Sequence, residues 1–68
     1  MAVSYNKLWK MLIDKDMNKT ELKNRAKVST NVIAKLGKNE PVSMETLEKI
    51  CRVLQCNIGD ICEICEEN

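Results

Sequence analysis

A chain of 68 residues is long enough for one domain with a modest core, so a net stability of only a few kcal/mol is expected and each apolar position counts. Leu, Ile, Met, Lys and Glu are abundant while Trp and Tyr occur once each and Phe not at all, a set of helix formers that predicts an all-α domain. The formal charge is only +1, yet nine Lys/Arg face three acids between Lys7 and Lys38, while residues 59–68 hold four acids and no base; this suits an anionic partner held away from an acidic tail at about residues 63–68, although a charge run is as often a solvated face.

Ser4 caps a first predicted helix over about Tyr5–Lys15, in which Tyr5, Leu8, Trp9, Leu12 and Ile13 form one apolar stripe. That spacing assigns Trp9 to the core. Residues 1–13 lack the continuous apolar region of an export signal, and no apolar run approaches the roughly 20 residues of a membrane span. A soluble, cytoplasmic protein without membrane association is the expectation.

Asn18, Lys19 and Thr20 signal the next start, with Glu21 placed where the helix dipole favours an acid. A short second helix over about Lys19–Ala26 buries Leu22 and Ala26. After Lys27 and Val28 a fresh cap at Ser29 opens a third helix over about Thr30–Lys38, with Ile33 and Leu36 inward, and Pro41 prevents its continuation. Two short helices joined by so short a turn cross steeply, as in a helix-turn-helix spanning about residues 19–38. The outward face of the second member then carries Thr30, Asn31, Ala34, Lys35 and Lys38, small, amide and cationic residues that suit base edges in a major groove.

Ser43 caps a fourth helix over about Met44–Gln55 with Met44, Leu47, Ile50, Cys51 and Leu54 as its buried stripe. Asn57 opens a fifth, in which Ile58, Ile61, Cys62 and Cys65 share a face. The expected architecture is a compact five-helix bundle forming a single domain over residues 1–68.

The stretch from Lys19 to Leu22 and from Val28 to Leu36 resembles the phage repressor and Cro-type (XRE-like) helix-turn-helix regulators. Pro41 with Ser43–Cys51 is similar to their fourth helix and Leu54–Ile61 to their closing one, so the resemblance covers about Tyr5 to Ile64. It implies a lambda-repressor-like fold and a sequence-specific regulator that binds double-stranded DNA as a homodimer. Leu22, Val28, Ile33 and Leu36 match packing positions. By the same resemblance Thr30, Asn31 and Lys35 read bases, while Asn18, Lys19, Ser29 and Lys38 lie near phosphate contacts. Two residues depart from the family pattern: Lys23 replaces a common small Ala, and Lys27 replaces a turn Gly suited to left-handed backbone. Ile58, Ile61, Ile64 and Met11 are candidates for the dimer interface. A protein-interaction module of antitoxin or anti-repressor type on the same fold is the alternative.

Four cysteines (Cys51, Cys56, Cys62, Cys65) without an export signal read as free thiols, not as a disulfide scaffold. Zinc is the sharper possibility, but the spacing matches no familiar zinc motif and no His is present. Redox sensing by Cys62 and Cys65 stays open. Without His, a glycine-rich phosphate loop or a pocketed carboxylate pair, neither an enzyme nor a bound cofactor or small-molecule substrate is expected.

Overall fold

Side-chain oxygens set where three of the helices begin. In the computed structural model, which describes residues 2–65, α1 spans Asn6–Asp14, α2 Lys19–Ala26, α3 Thr30–Gly37 and α4 Met44–Leu54. The N–H of Glu21 donates to Asn18 Oδ1 at 2.8 Å and the N–H of Asn18 donates back to the Glu21 carboxylate at 3.4 Å, a reciprocal cap on α2. Ser29 Oγ accepts from the Val32 N–H on α3, and Ser43 Oγ from the Thr46 N–H on α4. Each such cap stabilises its helix by about 1 kcal/mol. At α1 the boundary differs from expectation: Tyr5, not Ser4, is the capping residue, and the Ser4 hydroxyl accepts from Asn6 N–H at 3.3 Å.

The chain is not all-α. Ala2–Ser4 forms a strand, β1, and the segment expected to form a fifth helix divides into a 3-10 turn over Ile58–Asp60 and a strand β2 over Glu63–Cys65. The Asp60 carboxylate accepts from the Asn57 N–H at 3.0 Å and closes the turn. Beyond it the backbone finds partners at the other end of the chain: β1 and β2 pair antiparallel, with Ala2 opposite Cys65, Val3 opposite Ile64 and Ser4 opposite Glu63. The described fold therefore has four α-helices and a small two-stranded sheet. Glu66, Glu67 and Asn68, the end of the expected acidic tail, lie outside the described residues.

One core joins every helix. Tyr5, Leu8 and Leu12 enter it from the start and body of α1, Leu22 and Ala26 from α2, Leu36 from α3, Leu47, Ile50 and Leu54 from α4, and Ile61 from just before β2. The expected stripes are trimmed at their ends. Ile13 is 78% exposed and Met44 66% exposed, while Trp9, Ile33 and Cys51 are half-buried against the core. Ile61, a candidate for the dimer interface, is wholly buried and is a core residue instead. Among the described residues no helix is long and apolar enough to cross a membrane.

Candidate nucleic-acid interface

The turn between α2 and α3 decides how the two helices cross. Lys27, just past the end of α2, has φ 56° and ψ 45°, the left-handed conformation that glycine adopts without steric cost. Its N–H and that of Val28 both donate to the Lys23 carbonyl, ending the helix within one residue. Val28 packs half-buried against the core and Ser29 then caps α3. Lys23, where a small residue was expected, is accommodated at half burial. The two departures from the family pattern are thus absorbed without loss of the helix-turn-helix.

α3 is anchored along one side by fully buried Leu36, flanked by half-buried Val32 and Ile33. Thr30, Asn31, Ala34, Lys35 and Lys38 are exposed, and the helical repeat brings residues three and four apart onto one surface. Among the described residues, no side-chain hydrogen bond or ion pair occupies Thr30, Asn31, Lys35 or Lys38. The phosphate-contact candidates lie at the ends of the same two helices. Asn18 and Ser29 are the N-caps of α2 and α3, Lys19 is the first residue of α2, and Lys38 closes α3. Capping commits Asn18 Oδ1 and one lone pair of Ser29 Oγ but leaves the Asn18 amide N–H groups and the Ser29 O–H free to donate. The Lys19 ammonium lies 4.7 Å from the centre of the Trp9 ring, a contact that favours the cation on the aromatic face.

A clamp that the sequence does not announce holds the far end of α3. Asn39 adopts φ 56°, and its Oδ1 accepts from the Tyr5 N–H at 3.1 Å while the Tyr5 hydroxyl donates to the Glu40 carbonyl at 2.9 Å. The loop after α3 is thereby tied to the start of α1. The one local signal is Asn39 itself, since Asn tolerates left-handed backbone after a helix. Not every base belongs to this face. Lys7, part of the cationic run, donates to the Gly59 carbonyl and lies 4.0 Å from the Glu63 carboxylate, and Arg52 pairs with Glu48 on α4.

Cys51, Cys56, Cys62 and Cys65 are all free and half-buried. Burial, reinforced by the neighbouring Cys56, pushes the Cys51 thiol up to about 11. Burial also raises Cys62 against the opposing pull of Lys7, and its thiol donates to the Ile58 carbonyl at 3.4 Å. Burial disfavours the thiolate form at both positions. No group of three or more potential metal ligands converges among the described residues.

With this geometry in view, residues 7–67 match the family described as the Cro/C1-type HTH DNA-binding domain. A Bacillus subtilis (strain 168) protein named as the uncharacterized HTH-type transcriptional regulator YozG is 42% identical over 55 residues, 78% of this chain. The chain spans 66% of that relative, just under two thirds of its length. The crystal structure of transcriptional regulator VanUg, Form II, superimposes with a TM-score of 0.93 at 56% identity, covering 97% of this chain and 88% of that one.

Proposed function

The chain belongs to the family of Cro/C1-type HTH DNA-binding domains, and from that membership we propose that it is a transcriptional regulator that reads the major groove of double-stranded DNA with α3. It works in the cytoplasm as a homodimer on a two-fold site, because one module of this kind presents few base contacts and two half-sites are needed for a long recognition sequence. The observation that carries the reading is the exposed polar face of α3, held outward by Leu36 on the opposite side.

The roles follow from side-chain chemistry. Asn31 pairs bidentately with adenine N6 and N7, Lys35 donates to guanine O6 and N7, and Thr30 bonds a base edge at the start of the helix. Asn18, Lys19, Ser29 and Lys38 donate to phosphates on either side, which sets register and makes affinity salt-dependent without carrying sequence information.

Selection of random duplexes by the pure protein at two salt concentrations tests this. The expected result is a two-fold site whose affinity falls steeply with salt. Lys35→Ala then relaxes preference at particular base pairs by about 1–3 kcal/mol, whereas Lys19→Ala weakens all duplexes alike and lowers the salt slope by about one. Identical behaviour of the two variants overturns the division of roles, and salt-insensitive behaviour with no enriched site overturns DNA reading altogether.

A further inference from the structure

The spacing of apolar residues along α1 assigns Trp9 to the core, but only part of it goes there. Leu8 is wholly buried and Leu12 almost so, whereas Trp9 is half-buried. Its ring lies under the Lys19 ammonium, with 4.7 Å from nitrogen to ring centre, inside the roughly 6 Å over which an aromatic quadrupole attracts a cation. Trp9 belongs to α1 and Lys19 to α2, so the contact is tertiary and owes nothing to the helical repeat.

The stability of α2 does not explain the placing of this cation. Lys19 is the first residue of the helix, where the dipole disfavours a positive charge. Its side chain is exposed and, among the described residues, forms no ion pair. Glu21, the acid in the same turn, is committed to the cap, where it accepts from the Asn18 N–H. Lys7 and Arg52, by contrast, are held by the carboxylates of Glu63 and Glu48. A carboxylate orders a cation and cancels its charge; an aromatic face orders it and leaves the charge for an anion.

We propose that Trp9 is a positioning residue for DNA binding, its ring holding the Lys19 ammonium in the pose that meets a backbone phosphate. The step rests on the reading of Lys19 as a phosphate contact given above. A lysine without a partner loses rotamer freedom when it docks on a phosphate, and Lys19 has lost much of that freedom before duplex arrives. Lys35 and Lys38, with no ion pair among the described residues, are not held in this way. The ring changes the affinity of the contact without changing how many phosphates are neutralised.

Affinity of the full chain for a duplex selected from random sequence tests the proposal. It is measured over several salt concentrations for the wild type, Trp9→Leu, Trp9→Phe, Lys19→Ala and the double variant Trp9→Leu with Lys19→Ala, each at a temperature where circular dichroism shows it folded. Trp9→Leu is expected to weaken binding about two- to fivefold at every salt concentration, with an unchanged salt slope. Trp9→Phe, which keeps a ring, loses less, and Trp9→Leu has no further effect once Lys19 is replaced by alanine. No loss, or an equal loss in both backgrounds, assigns Trp9 to packing alone and overturns the proposal while the phosphate contact stands. A Lys19→Ala that leaves affinity and salt slope unchanged overturns the phosphate contact and the proposal together. Nuclear magnetic resonance of the wild type gives an answer independent of the variants. The Lys19 Hε resonances are expected to be shifted upfield by the ring in the free protein and to stay so at saturation with duplex. Ordinary shifts in the free protein, or a return to them in the complex, overturn it.

Discussion

Lys27 carries two roles that pull in different directions. Its left-handed backbone costs of order 1 kcal/mol relative to a residue without a Cβ, yet its ammonium stands in the turn between the two helices of the DNA-binding unit. Lys27→Gly is expected to raise stability by up to about 1 kcal/mol, the steric relief being partly offset by the greater freedom of glycine in the unfolded chain. Urea unfolding measures the gain, and the loss of one cation is expected to weaken duplex binding modestly and without sequence preference. Cys51 shows the same dependence of one residue on its setting. Its thiol ionises at about 11 when folded against an ordinary 9.0, so the unfolded chain gives up the proton first. This contribution to stability is fully present below about pH 9 and is lost as pH rises through about 11. The urea midpoint of the wild type is therefore expected to fall across that window more than that of Cys51→Ala, and equal slopes would refute the assignment. At neutral pH alkylation of Cys51 is expected to be slower than that of an unfolded control.

At the scale of elements, the contact between α1 and the loop after α3 is the part most exposed to a single substitution. Tyr5→Phe removes the donor to the Glu40 carbonyl while preserving the ring, and is expected to cost about 1 kcal/mol. For a domain of this size that lowers Tm by about 4–8 °C, measurable by circular dichroism; an unchanged Tm would mean that water replaces the bond without loss. How legible an element is depends on how far its cause lies along the chain. α2 is readable to the residue because Asn18 and Glu21 are three positions apart and cap each other locally. The exposed face of α3 follows from the helical repeat and the position of Leu36. The sheet was invisible because each strand is three residues long and its partner lies at the other end of the sequence, leaving no periodicity to detect. Ile58, Ile61 and Cys65 also recur at helical spacing, so the same residues mimic a fifth helix. The Tyr5 clamp on Asn39 and Glu40 escaped for the same reason, its partners being 34 and 35 residues away.

For the molecule as a whole, one small core holds the fold and carries α3, and Leu36 is where α3 joins it. It is the one wholly buried side chain that α3 contributes among the described residues. A chain of 68 residues is expected to be stable by only about 3–10 kcal/mol, and Leu36→Ala costs about 2–5 kcal/mol through lost burial and the cavity left behind. The variant is therefore expected to be partly unfolded at ordinary temperature. Because duplex binds only the folded state, a selected site at about 1,000 times its Kd offsets about 4 kcal/mol and is expected to restore the helical circular-dichroism signal. Thermal melts with and without duplex separate two ways of losing activity. If saturating duplex raises the Tm of Leu36→Ala and of the wild type by similar amounts, Leu36 acts through stability alone. If the wild type responds and the variant does not, the cavity also lets α3 settle in a pose that no longer fits the groove, and Leu36 aims the helix as well as anchoring it.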